Sequence, residues 1–397
     1  MTLLVRNEAE VIEENLVYHL ESGVDFVIAT DNGSTDGTLD VLERYAREGH
    51  LHLGHEASRE HRQETWVSTM ARLAATDFGA DWVINSDADE FWLPLQGTLK
   101  EVLAAVPERF GALKVPRSDF IVRPDGPEPF YDRMTVAHVT TVNPRKGGRP
   151  LLAKVIHRAA PDAALTHGNH RVSGTGVELM PGWEPIEILH YPTRSYAQFE
   201  RKIRQHGEAI DLRRAGQDEA APASTQTTSE SGFTKAFRRL QAGELQGDYE
   251  AGLLDDAAVE EGVRGGRLAP DGRLQRFFVE RRARAGGSTP PDAAAAVAAP
   301  LTPAPPADPA RVEELTMAAL RAADRHRRAA AVVERDLDKL GRAVQQADRR
   351  AARAAKAEAM MSERLERVEG SRAHRLVNGA AAAAARLRRG AGSPPAR

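Results

Sequence analysis

The sequence predicts an α/β fold with a mostly parallel sheet and flanking helices, followed by a C-terminal helical extension. Three observations predict it. Four short apolar runs before Pro94 are separated by three stretches of helical periodicity, a rhythm that builds a parallel sheet with helices on both faces. The run Trp82-Val83-Ile84 ends on three carboxylates in four residues, Asp87, Asp89 and Glu90, at the strand edge where an open sheet collects its ligands. Beyond Val312 apolar residues recur near heptad spacing.

Thr2 to Val5 reads as the first strand, followed at once by Arg6-Asn7-Glu8. Val11, Ile12, Leu16, His19 and Leu20 fall at helical spacing and stop at Ser22-Gly23. Val24 to Thr30 is the second strand. Asp31-Asn32-Gly33-Ser34-Thr35-Asp36-Gly37-Thr38 is a polar turn, in which Thr35 or Asp36 caps the helix through Leu39, Val41, Leu42 and Tyr45. Leu51 to Leu53 is the third strand. A helix from about Arg59 to Ala75 carries Arg59, Arg62 and Gln63 near its start, and the carboxylate strand after it is placed beside the second strand.

After Pro94 the rhythm changes. A helix around Leu99 to Val106 leads into short strands at 112–115, 119–122, 136–142, 154–157 and 187–190, then into a basic amphipathic helix from Ser195 to Ile210. Phe233 to Leu240 and Leu274 to Val279 are helical pieces. The division expected is 1–212 for the α/β domain, 213–232 for a polar mobile loop and 233–284 for the domain's helical completion. Residues 285–310 form a Pro/Ala/Gly-rich linker, 311–370 a long helix or coiled coil, and 371–397 a basic Ala/Arg-rich tail. The seam holds Leu337, Leu340, Val344, Ala347, Ala351, Ala354, Met361, Leu365 and Val368. Its many alanines make a thin coil, and the four-residue step from Val333 to Leu337 resembles a stutter.

Composition narrows the function classes. With 41% hydrophobic and 28% charged residues, 397 residues suffice for one large domain plus appendages. A formal charge of −3 argues against a whole-protein nucleic-acid binder. The charge is uneven: from Arg311 onward there are 20 Lys and Arg against 11 Asp and Glu, which leaves the preceding part acidic. No cysteine is present, so disulfides and thiolate chemistry are excluded. No run approaches the roughly 18 apolar residues of a membrane span, and the opening is too short for a signal peptide. A cytoplasmic protein is expected, peripheral at the inner face of the membrane through its basic tail.

Clustered carboxylates are costly unless a cation or a hydrogen-bond network compensates. A hard divalent ion with oxygen ligands does so and binds substrate phosphates, which makes Asp87 and Asp89 candidate metal ligands; the plainer reading is an acidic turn capping the next helix. Asp31 and Asn32 end a strand at the same edge, where acidic groups meet a base or ribose, and their segment is also a good turn. Arg59 and Arg62 have the fork geometry for a diphosphate, or are a solvated helix start. In His167-Gly168-Asn169-His170 and in Leu189-His190-Tyr191-Pro192, His170 and His190 are candidates to complete a cation's coordination, against ordinary structural histidines. Asp119 and Glu187 are the carboxylates best placed by strand position to act as general base.

Arg6-Asn7-Glu8, the Asp31–Thr38 turn and Asp87-Ala88-Asp89-Glu90-Phe91-Trp92, in that order, resemble the family 2-type glycosyltransferases of GT-A fold, in the branch related to family 92. Lys154-Val155-Ile156, 167–170 and 189–195 are similar to the same branch, and the resemblance covers Met1 to Ile210. It implies a GT-A-like, Rossmann-type sheet, a nucleotide-diphosphate sugar donor, and Mn2+ or Mg2+. It also implies that Asp31 holds the base or ribose, that Asp87 touches the ribose or a metal-bound water, and that Asp89 ligates the metal. Arg6, Asn7 and Glu8 join the donor-binding set. An acceptor hydroxyl of a glycan, lipid-linked or small-molecule acceptor then attacks the anomeric carbon with inversion. The chain starts inside the first strand, a departure from the family's pattern. A sugar-phosphate nucleotidyltransferase of similar fold is the first alternative, but Arg6-Asn7-Glu8 stands where its Gly-rich loop would be. The second is a coiled-coil scaffold with an inactive domain. The C-terminal helix is expected to make a homo-oligomer or to dock the enzyme near a membrane-bound acceptor.

Overall fold

The computed structural model describes residues 1–57, 63–139, 142–143, 149–150, 152–217, 232–284, 297–370 and 372–390. Arg59, Arg62 and most of the loop expected between Ala215 and Gly232 lie outside the described residues.

The chain runs β1 (Thr2–Val5), α1 (Ile12–Glu21), β2 (Val27–Asp31), α2 (Thr38–Arg47), β3 (Leu51–His55), α3 (Gln63–Thr76) and β4 (Trp82–Ser86). Next come β5 (Glu90–Pro94), α4 (Leu99–Ala104), β6 (Ala112–Val115), β7 (Arg117–Asp119), α5 (Phe130–Arg133), β8 (Val136–His138), β9 (Val142–Asn143) and β10 (Arg149–Pro150). β11 (Lys154–Arg158), β12 (Ala164–Leu165), β13 (Val172–Ser173) and β14 (Ile186–His190) precede α6 (Tyr196–Gln217). The rest is α7 (Gly232–Gln241), α8 (Leu245–Ala251), α9 (Asp256–Arg264), β15 (Leu268–Pro270), α10 (Arg273–Arg284), α11 (Pro309–Gly370) and α12 (Arg372–Gly390).

The main sheet has the order β3-β2-β1-β4-β11-β6. β1 to β4 are parallel, and β11 inserts antiparallel to both β4 and β6. The expected neighbour relation is corrected here, since β4 does not lie beside β2. β1 sits between them, pairing Val5 with Asp31 on one side and Leu3 with Ser86 on the other. The chain runs outward through β2 and β3 and then back to the far side of β1, which makes the first strand central. Leu3 and Val5 are buried accordingly.

Helices cover both faces. α1 buries Ile12, Leu16, Val17 and Leu20, whereas α3 lays Val67, Met70, Ala71 and Ala74 against Ile28 and Val83. A second sheet, β5-β14-β7, continues from the carboxylate turn. α4 starts in a capping box: Thr98 Oγ1 accepts from Glu101 N and the Glu101 carboxylate accepts from Thr98 N. The turn before α2 has its cap one residue later than expected, at Gly37 with φ 97, while Asp36 Oδ1 accepts the Thr38 amide at 3.2 Å.

The chain forms two compact units, Met1–Asp324 and Arg325–Arg397. The division therefore falls inside α11 rather than in the Pro/Ala/Gly-rich stretch 285–310. The reason is packing: Leu315, Ala319 and Ala323 at the start of α11 are buried in the cluster that holds Trp92, Val102 and Leu113. Burying Leu315 alone contributes about 1.5–3 kcal/mol. The described part of that stretch is also tied down. The buried Arg281 donates to Glu21 at 2.9 Å and to the Ala299 carbonyl at 2.5 Å, and Asp308 N donates to Glu101 at 3.0 Å. Ala215 to Gln217 continue α6, and Gly232 begins α7. In the second unit α11 is continuous through Val333–Leu337, so no break accompanies that step. Among the described residues no helix is long and apolar enough to cross a membrane.

Candidate active site

Where β4 turns into β5, at the carboxyl edge of the sheet, the chain places Asp87, Asp89 and Glu90. Side chains from α1 hold the turn from behind. Asn15, wholly buried, donates from Nδ2 to the Ala88 carbonyl at 3.0 Å and to the Glu90 carbonyl at 2.8 Å. One helical turn on, His19 Nε2 accepts the Trp92 amide at 3.2 Å, and its Nδ1 lies 2.8 Å from the Asn15 carbonyl. Those partners require a neutral ring with the proton on Nδ1, and burial lowers the His19 pKa to about 3, which keeps it neutral. Trp92 Nε1 donates to Ser86 Oγ at 3.0 Å, and Ser86 Oγ donates to the Asp87 carbonyl at 2.9 Å. From the other side Tyr191 N donates to the Asp89 carbonyl at 2.9 Å. A buried turn whose polar groups are satisfied in this way is pre-positioned.

Strand parity sorts the side chains. Across the second sheet Glu90, His190 and Asp119 are in register, so they project from one face, and Arg117 joins them two residues before Asp119. His190 Nδ1 meets Asp119 Oδ1 at 2.7 Å and its Nε2 lies 3.6 Å from Asp89 Oδ2, so the imidazole bridges two carboxylates. Burial alone would lower the His190 pKa, but Asp89 and Asp119 outweigh it and raise the value. Arg117 Nε lies 2.9 Å from Asp119 Oδ1. Burial pushes the Asp119 carboxyl up, yet His190 and Arg117 hold it below the usual range, which makes it a weak base.

Two lysines complete the cluster. Lys154 comes from β11, 1% exposed, and its Nζ donates to Asp87 Oδ2 at 2.6 Å and lies 2.8 Å from Glu90 Oε2. Burial works against that charge, but the two carboxylates raise the Lys154 pKa to about 12. Lys202 reaches in from α6, placing Nζ 3.2 Å from Asp89 Oδ2. Asp89 is 5% exposed; burial raises its pKa, but Lys202, His190 and Arg194 hold it well below the usual range. Arg194, buried just before α6, donates to Glu8 Oε2 at 2.6 Å and to the Tyr191 carbonyl at 3.0 Å. Glu8 moves the other way, raised by burial against the pull of Arg194.

The neighbouring loops converge on the same edge. Asn7 adopts φ 55, a conformation that asparagine tolerates better than most residues. Its Oδ1 accepts the Thr35 amide at 2.7 Å, and its own amide donates to Ser34 Oγ at 2.9 Å. Glu8 N donates to Thr38 Oγ1 at 2.8 Å. Asp31 Oδ2 accepts from the amides of Gly33 and Ser34 at 3.0 and 3.1 Å, while Asn32 Nδ2 donates to the Glu56 carbonyl. Asp31 Oδ1 and Arg6 Nε are buried without a protein partner. An acceptor and a donor left open at a strand edge are what a polar ligand would satisfy.

The structure thus brings together Asp87, Asp89, His190 and Asp119, with Arg6, Asn7, Glu8, Asp31 and Asn32 on adjoining loops. It does not bring in Glu187, which lies on the other face of β14, three residues from His190. Glu187 contacts Ser118 Oγ and Arg273 Nη2, the latter at 2.8 Å. His170 turns its Nδ1 to the Ala153 carbonyl at 3.0 Å, and its pKa is lowered by burial and by Lys154 nearby. Beside it the buried Asn169 donates to the Asn85 carbonyl at 3.3 Å, which docks the 167–170 segment on β4. The sequence reading missed Asn15, His19, Lys154, Arg194 and Lys202 as site residues. Three of them left a signal: Asn15 and His19 stand four apart on the apolar face of α1, and Lys154 opens a buried strand.

The divalent ion expected at Asp87, Asp89, His170 and His190 does not fit this arrangement. The Asp87 oxygen nearest the cluster is held by a buried ammonium, and Asp89 faces a second one. Among the described residues no group of three or more His, Asp or Glu side chains is disposed to hold a metal.

A family model described as glycosyltransferase family 92 matches residues 3–210, more than half of the chain. No curated protein matches the sequence. Among solved structures, S. aureus TarS is 16% identical, with a TM-score of 0.32 over 62% of this chain and 42% of that one. TarS 1–349 in complex with UDP-GlcNAc is 14% identical, with a TM-score of 0.31 over 72% of this chain and 91% of that one. The chain spans less than half the length of the longer TarS chain.

Proposed function

The chain belongs to glycosyltransferase family 92, and from that premise we propose that it moves a sugar from a nucleotide-diphosphate donor to an acceptor hydroxyl with inversion. The observation that carries the reading is the set of charges around the turn from β4 to β5: Asp87 with Lys154 and Glu90, and Asp89 with Lys202, His190 and Asp119. Such a set, fixed from behind by Asn15 and His19, presents charge without reorganising, which is how a site stabilises charge that develops during reaction. Asp31 Oδ1 takes an N–H of the nucleobase or a ribose hydroxyl, and Arg6 Nε takes a ligand oxygen. The bond from the anomeric carbon to the phosphate oxygen breaks, and its electron pair leaves with the diphosphate. The acceptor oxygen attacks from the opposite face and gives its proton to a carboxylate. Asp119 acts through His190, which it holds against Asp89.

The exposed apolar stripe of the second unit suits a second copy of the chain. Val333, Leu337, Leu340, Val344, Met361, Leu365 and Val368 follow alternating steps of three and four residues around an alanine-rich centre, and each is more than half exposed where it is large.

A thermal-shift screen of UDP-, GDP- and dTDP-sugars tests the catalytic reading. A donor that binds the folded state at 100 times its Kd adds about 2.7 kcal/mol of stability. At least one of these donors is expected to raise the melting temperature, and a panel that leaves it unmoved speaks against the reading.

A further inference from the structure

The proposed donor brings a diphosphate to an edge whose carboxylates already have cationic partners. Five carboxylates meet there, Glu8, Asp87, Asp89, Glu90 and Asp119. Opposite them stand Lys154, Lys202, Arg194 and Arg117, with the His190 imidazole between Asp89 and Asp119. The usual reason for recruiting a divalent ion, like charges left uncompensated, is absent.

The two lysines are not equivalent. Lys154 is sealed in, bonded to both Asp87 and Glu90, and displacing it would strand an ammonium where no water reaches it. Lys202 is different: its side chain, which rises from α6 on a flexible four-carbon stem, is 30% exposed, against 1% for Lys154. Its Nζ sits 3.2 Å from Asp89 and 3.5 Å from the Pro192 carbonyl, so it is held where the carboxylate turn faces the donor. An ammonium binds phosphate oxygens as a compact charge and can share its three donors between a carboxylate and a phosphate. Behind it the buried Arg194 keeps its Nε without a partner.

We propose that this site supplies its own cations: Lys202, backed by Arg194, meets the diphosphate of the donor, and nucleoside diphosphate binding needs no divalent ion. The inference rests on the glycosyl-transfer reading given above and adds to it the group that receives the leaving diphosphate. Lys154 fixes the Asp87–Glu90 turn and stays out of contact with the ligand, whereas Lys202 touches it.

Calorimetric titration of the full chain with UDP, GDP and dTDP, in EDTA and in MnCl2, is the test. A nucleoside diphosphate is expected to bind in EDTA within about threefold of its affinity in Mn2+. Lys202→Met is expected to weaken it by about tenfold or more, to leave the affinity for the corresponding nucleoside unchanged, and to be rescued by Lys202→Arg. A purely structural lysine would not separate diphosphate from nucleoside. Binding that appears only with Mn2+, or a Lys202→Met chain that binds like the parent, overturns the inference and leaves glycosyl transfer standing. Failure of all three nucleotides to bind in either buffer removes both.

Discussion

His19 shows how much of the site depends on a residue that touches no ligand. Its ring is buried, neutral and bonded at both nitrogens, one to the helix that carries it and one to the amide of Trp92 just past the carboxylate turn. The sign of its pH effect follows from the direction of its shift. The folded value, about 3, lies below the unfolded value of about 6.5. Its stabilisation is therefore complete above pH ~6.5 and is lost as pH falls toward 3, because the unfolded ring takes up a proton that the folded one refuses. Urea unfolding at about pH 7.5 and pH 5 checks this. The parent chain is expected to lose about 2 kcal/mol more than His19→Gln over that interval; equal losses would show that the ring is not neutral by burial. The lysines at the site make a related point about legibility. Lys154 and Asp87 are 67 positions apart, and Lys202 and Asp89 are 113 apart, so no local pattern announces either pair. Asp31, Asp87 and Asp89 could be named as candidates because strand-end carboxylates sit in short motifs; their partners come from other strands and helices.

At the scale of elements, the first four strands and their three helices were legible because each carries its own periodicity. Their lateral order was not. β1 lies between β2 and β4, and β11 runs antiparallel between β4 and β6, relations that crossover handedness and long-range pairing decide. Glu187 was misassigned for a similar reason. Its strand was found, but its face follows from register with β7, which period-two alternation alone does not supply. α11 is the clearest element-level case. Its heptad character was visible, but the packing of Leu315, Ala319 and Ala323 into the first unit was not. If the remainder pairs with a second copy, charges at Leu337 and Leu340 should break the pair. Light scattering of the full chain is expected to give twice the chain mass, and Leu337→Glu with Leu340→Glu to give the single mass. The unit Met1–Asp324 should unfold as before. A monomeric parent chain would remove the proposed dimer.

For the molecule as a whole, one family model covers the strands that carry the site, and the structure gathers the corresponding side chains around the turn that leads from the main sheet into the second. The central claim is that the charge pairs around Asp87 and Asp89 act on a nucleotide-diphosphate sugar rather than merely closing a turn. Release of nucleoside diphosphate from UDP-, GDP- or dTDP-sugars, compared between the parent chain and Asp89→Asn at equal stability, addresses that claim most directly. The account predicts a fall of at least ~100-fold, because the substitution removes the charge that positions both Lys202 and His190 while keeping the side-chain shape. An Asp89→Asn chain that turns donor over at the parent rate would contradict it.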